Sequence, residues 1–184
     1  MAGRVCDATG MYETESEVAA LQELLDRSHA GATDHLQSII HDDRRLSAAD
    51  LVALLTGMKV LSVATVTAGG EPRISALDGH FLHGTWSFST SGTAAKARQL
   101  AARPQASVAH VDGEEMAVFS HGRALPLTAE HPRWDETLEH WTRHYGGSPL
   151  EWGPDIRFYD YQPHWMVGYA WKRDELMRSR GLVP

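Results

Sequence analysis

Residues 60–104 read VLSVATVTAGGEPRISALDGHFLHGTWSFSTSGTAAKARQLAARP, and this stretch decides the fold. Residues 59–67 (KVLSVATVT) carry β-branched and apolar side chains on both parities. That texture predicts a strand buried on both faces, as in a barrel wall. Ala68-Gly69-Gly70 reads as a tight turn, since glycine tolerates the backbone angles a turn demands. Residues 71–82 form the next strand, His83-Gly84 turns it, and residues 85–90 return. Residues 93–103 are Ala-rich and helical, and Pro104 ends that helix.

Downstream, residues 105–111 make a strand, Asp112-Gly113 a hairpin turn, and residues 115–127 a long strand. Gly122 inside it marks a bulge or a close approach of backbones. Residues 131–145 look helical, with Trp134, Leu138, Trp141 and Tyr145 on one stripe. Residues 156–161 and 165–171 are the last strand candidates, and a charged tail follows. Upstream the texture is helical. Thr14-Glu15-Ser16-Glu17 and Ser47-Ala48-Ala49-Asp50 have the capping-box pattern, a hydroxyl followed three residues later by a carboxylate. A short helix around Leu36 and Ile39 lies between them, and Gly57 is a natural stop.

The sum is about six strands joined mostly by hairpins. No βαβ alternation is sustained and no GxGxxG follows a strand, which argues against a dinucleotide-binding sheet. The expected architecture is α+β but mainly β: an antiparallel split β-barrel over residues 47–171. A helical extension (1–46) precedes it and a tail (172–184) follows.

Composition narrows the function. With 184 residues, 42% of them hydrophobic, the chain supports one domain with a sizeable core. No apolar run approaches the roughly 18 residues of a membrane helix, so no membrane partner is expected. The formal charge of −7 (17 Lys+Arg against 24 Asp+Glu) argues against a nucleic-acid partner. The single cysteine, Cys6, can form no internal disulfide, and no basic-then-apolar segment opens the sequence. The expected location is the cytoplasm.

The candidate chemistry lies between Gly70 and Pro104. Arg73 and Ser75 share a strand parity and so a face. Ser89 and Thr90 end the following strand, and Thr93 and Lys96 fall three apart at the start of the helix. A helix start offers unpaired N–H groups and partial positive charge. Hydroxyls with Arg73 and Lys96 nearby would make a phosphate cradle; the plainer alternative is a solvated helix start with ordinary capping.

These elements, in this order, resemble the pyridoxamine-phosphate-oxidase-like split β-barrels, which bind flavins or deazaflavins and usually work as homodimers. The resemblance rests on Ala64-Thr65, Gly70, Pro72-Arg73, Phe88-Ser89-Thr90, then Lys96, Leu100 and Pro104, with Gly122-Arg123-Ala124 later. It implies that Arg73 and Lys96 bind a cofactor phosphate, and that Ile74, Ser75 and Ala76 line the ring. It also implies that Ser89 and Thr90 hydrogen-bond the phosphate or ribityl chain. Trp165 stands where such proteins often place a partner subunit's Trp against the cofactor. The implied cofactor is FMN, with coenzyme F420 as the alternative, and the implied activity is an oxidoreductase acting on a small molecule. Oxidases of vitamin B6 itself carry a lysine at the position of Asp78, an Arg-x-x-x-Ser helix and an Arg-x-His pair where this chain has Trp171-Lys172-Arg173. The expectation is therefore the cofactor fold without that activity.

Eleven histidines motivate a second reading, a haem- or cofactor-binding protein without turnover. His80, His83, His110 and His121 fall in or beside strands, where each is either a ligand or a satisfied wall residue. His140 and His144 are i,i+4, a spacing that holds metals, but no third ligand follows from the sequence and solvated surface positions are the simpler reading. No metal is expected. A cofactor-free structural dimer is the third reading.

Overall fold

The structure is a computed structural model and describes residues 12–182; Cys6 lies outside them. Six antiparallel strands close a barrel in the order β1-β2-β3-β6-β5-β4. They are β1 (Met58–Val66), β2 (Pro72–Leu82), β3 (Thr85–Ser91), β4 (Gln105–Asp112), β5 (Met116–Leu127) and β6 (Ile156–Ala170). The helices are α1 (Glu15–Ala30), α2 (Asp34–Ile39), α3 (Ala48–Leu54), α4 (Ala95–Ala102), α5 (Trp134–Tyr145) and α6 (Arg173–Ser179).

Local chemistry accounts for the element ends. Both expected capping boxes are present: Thr14 with Glu17 starts α1, and Ser47 with Asp50 starts α3. His83 and Gly84 take φ of 57° and 71°, the left-handed pair of a two-residue hairpin between β2 and β3. The β4–β5 hairpin closes on the pair Asp112↔Met116, so its loop has three residues, beginning at Gly113.

Inside the barrel, Leu61, Val63, Trp86, Phe88, Val108, Val118, Tyr161 and Met166 form a common core. Leu21, Leu24 and Leu25 of α1 and Leu51 of α3 join it. The N-terminal helices thus pack on the barrel of their own chain. Asp50 also pins the C-terminal helix, accepting from Arg173 Nε and Nη2 at 2.9 and 3.0 Å. A smaller cluster under α5 holds Trp141, Phe158 and Leu127.

Two sequence expectations change. β1 is not buried on both faces. Leu61, Val63 and Thr65 point inward, while Val60 is 57% exposed on the outer face. Residues 156–161 and 165–171 are not two strands but parts of one. Between them lies Pro163, which cannot donate to a ladder. The ladder instead shifts register there: Gly122 faces Pro163, His121 faces Trp165, and His164 is the extra residue of a bulge.

Candidate functional site

β2 pairs with β1 over Pro72–His80 but with β3 only over Gly79–Leu82. β3 pairs with β2 over Thr85–Phe88 and, on its other edge, with β6 over Ser87–Ser91. The wall therefore parts between residues 72–78 of β2 and residues 89–91 of β3, leaving a slot.

Arg73 stands opposite Thr65 in the β1–β2 ladder, and directly paired residues share a face. Thr65 is buried and donates its hydroxyl to Gln99 Oε1 of α4 at 2.6 Å. Arg73 and Ser75 are thus on the face where α4 lies. Lys96 is one turn before Gln99 on the same row of that helix. It is half-buried and has no ion-pair partner among the described residues. Ala94, the N-cap, offers no side-chain hydrogen bond, so the first amides of α4 keep their orphan character. Arg73 rests against Glu71 at 2.8 Å, with the two side chains 63% and 67% exposed. Such a surface pair contributes less than about 1 kcal/mol, so Arg73 remains available to a stronger anion.

The remaining expected residues divide by strand alternation. Thr90 shares the inner side with Phe88, whereas Ser89 shares the outer side with Ser87. Ile74 and Ala76 face outward with Asp78, and Ile74 is 75% exposed. α4 begins at Ala95, so Thr93 precedes the cap and is not a helix neighbour of Lys96. The reason is local: Ser91 Oγ takes the Thr93 amide at 3.3 Å and meets its hydroxyl at 2.8 Å, a turn that competes with helix extension. Trp165 is not brought to the slot of its own chain. It lies seven residues along β6 from Phe158, the partner of Ser89, which is roughly 20 Å at about 3.3 Å per residue. There it stacks on His121, rings 4.7 Å apart and 18° from parallel.

Cavities lie away from the slot, and two of them bear on the expectations above. One of about 440 Å³ lies between α1, the β2–β3 turn and β6. In it His83 Nδ1 is 3.1 Å from Glu17 and Nε2 3.6 Å from Glu136, and Arg133 bridges Glu17 and Asp160. Burial raises the Glu17 carboxyl, but the Thr14 amide and His83 outweigh it and the net shift is downward. This clasp of α1 to the barrel was not foreseen; the left-handed His83-Gly84 turn was its one trace in the sequence. The other, of about 370 Å³, opens at the β1–β4 seam beside Val60, His110, Val111 and Arg180. Neither is lined by Arg73, Thr90 or Lys96.

The histidines sort differently from expectation. His140 is half-buried against His80 rather than solvated, while His144 is exposed. His80, His83 and His110 are buried, and His121 is exposed, accepting from or donating to Ser107 Oγ at 2.9 Å. Among the described residues no three His, Cys, Asp or Glu are arranged to hold a metal. Nor is any described helix long and apolar enough to cross a membrane.

The family model described as pyridoxamine 5'-phosphate oxidase matches residues 48–168, which take in the slot, α4 and nearly all of β6. The chain belongs to that family. No curated protein matches the sequence. Among solved structures, the conserved hypothetical protein Rv2991 of Mycobacterium tuberculosis is similar at a TM-score of 0.60 and 18% identity, over 73% of this chain and 91% of that one. The protein Atu2129 of Agrobacterium tumefaciens is similar at 0.54 and 19%, over 62% of this chain; the match spans about half (52%) of its length. HutZ, the haem storage protein of Vibrio cholerae, is similar at 0.49 and 21%, over 57% and 81%. For the first two, at these identities, the likeness is one of fold. Three of the positions noted above are engaged within the chain. Asp78 accepts from the Tyr145 hydroxyl at 3.3 Å, Arg173 is committed to Asp50, and Trp171 lies under the Arg44 guanidinium at 3.8 Å.

Proposed function

We propose that the protein binds FMN, with coenzyme F420 as the alternative, in the slot between β2 and β3, and that it acts as a homodimeric, cytoplasmic oxidoreductase on a small molecule. What supports this reading is a pair of cations from different elements on the face of the wall where α4 lies. Arg73 comes from β2, and Lys96 from an α4 start whose amides lack a side-chain cap. A phosphate suits that combination of charge and N–H donors. Thr90 and Ser75 would add hydroxyl contacts. Ile74 and Ala76 offer the flat apolar surface that a tricyclic ring needs, and Ser89 borders it on the outer side.

When bound, the cofactor supplies the hydride or electron transfer. The chain's own contribution is to anchor the phosphate, orient the ring along β2 and exclude water. Asp78, four residues beyond Ile74 on the same face, places a carboxylate where a B6 oxidase has a lysine, so a phosphorylated substrate is disfavoured there. Water exclusion needs a cover. Val60, Ile74 and Val111 are 57%, 75% and 55% exposed on adjoining strands, with small residues between them. A second copy laid on this face buries them and gives Trp165 a route to the partner's ring.

The test is the variant Lys96→Ala. Losing one charge-assisted contact of about 1.5–3 kcal/mol is expected to weaken FMN binding 10- to 100-fold in a fluorescence titration, with the thermal midpoint little changed. Unchanged affinity would remove Lys96 from the site. A haem-binding reading has one observation in its favour, the exposure of His121 beside Trp165. A Soret band lost in His121→Ala would support it.

A further inference from the structure

We propose that His80 and His140 form an acid-sensitive latch that holds α5 against the outer barrel wall, so that mild acid releases α5 while the barrel stays folded. His80, on the outer face of β2, is 0% exposed beneath α5. Its Nδ1 lies 2.8 Å from His140 Nε2, a contact that needs one ring to give a proton and the other to accept it. Its Nε2 is buried with no hydrogen-bond partner. The neutral pair satisfies this geometry. A protonated pair places charge where no counter-charge is free, at a distance where like charges repel.

The surroundings add no rescue. From α5, His144 meets the His80 ring at 4.8 Å, Arg143 is engaged with Glu139, and Tyr145 is bonded to Asp78 of β2. From β1, Lys59 contributes a further positive charge. From the segment before α1, Tyr12 meets the His140 ring at 4.9 Å and accepts from Arg143. Both nearby carboxylates, Asp78 and Glu139, are thus already bonded.

Burial first, then the neighbouring histidines, depresses His80 to about 3 and His140 to about 4 from 6.5. With α5 away from the wall both rings titrate near 6.5. The released state therefore binds more protons below that value, and the docked state loses its advantage as the pH falls toward 4. Two such groups raise the released population about five hundredfold between pH 7 and pH 5. The device stands whether or not the slot binds a flavin.

Hydrogen exchange of the full chain at pH 7 and pH 5, corrected for intrinsic rates, tests it. The expected result is an approximately five hundredfold loss of protection confined to residues 134–145, with β4 and β5 unchanged. His140→Gln keeps a polar partner for His80 but cannot titrate, and should reduce the loss to about 25-fold; His35→Gln, at an exposed position on α2, should leave it intact. Loss shared equally by β4 and β5, an undiminished loss in His140→Gln, or no loss at all would each overturn the proposal.

Discussion

Replacing Trp141 with alanine is expected to cost about 4 kcal/mol of stability, lowering the midpoint of thermal unfolding by roughly 10 °C. Trp141 is 0% exposed and is the main apolar attachment of α5. Its ring meets Phe158 edge-on at 5.0 Å, and His80 and Tyr145 at 4.6 and 5.7 Å. Its indole N–H donates to Ser87 Oγ at 3.2 Å. Alanine loses the buried area, the aromatic contacts and that hydrogen bond together, and a cavity remains because the wall of β3 and β6 cannot collapse. Trp141→Phe keeps most of the area and should recover more than half of the loss. Glu139→Ala, on the exposed side of the same helix, should change stability by less than about 0.5 kcal/mol. Chemical denaturation of the three variants checks the ordering; a loss below about 1 kcal/mol in Trp141→Ala would mean that α5 is not held this way.

Gly122→Ala is expected to be comparably damaging, about 3 kcal/mol or more. A Cβ at this position would sit 2.3 Å from Gln162 O and 2.7 Å from Pro163 Cα. These are backbone atoms of the adjacent strand, so no side chain can rotate away. Relief requires parting β5 from β6 at the bulge, where Pro163 already withholds a donor. Gly147, whose Cβ would meet nothing within 4 Å, is the control, and alanine there should be neutral within about 0.5 kcal/mol. Equal unfolding midpoints for the two variants would contradict the close approach.

Much of this was legible in the sequence because it rests on local chemistry. Thr14 and Ser47 each bring a carboxylate three residues on; His83-Gly84 and Gly70 announce turns; Gly122 announces a crowded backbone. What stayed hidden depends on partners distant in sequence. The outer face of β1 reads as core because Val60 and Val66 are apolar, yet Val60 is more than half exposed among the described residues. β6 was read as two pieces because the bulge that absorbs Pro163 exists only in register with Gly122. His140 was read as a surface residue because its spacing gives a helix face but not the wall beneath it, where His80 waits. In the candidate site, shared strand parity correctly put Arg73 and Ser75 on one face. The start of α4 was misjudged because the Ser91–Thr93 turn outcompetes two more residues of helix.

The measurement that bears most directly on the central claim is an absorbance spectrum of the protein equilibrated with FMN, and in parallel with coenzyme F420 and haemin, then desalted. The account predicts a retained flavin or deazaflavin band in the parent protein and its loss in the Arg73→Ala, Lys96→Ala double variant. No retained band, a Soret band alone, or a flavin band that survives the double variant would contradict the assignment of the slot between β2 and β3 as the cofactor site.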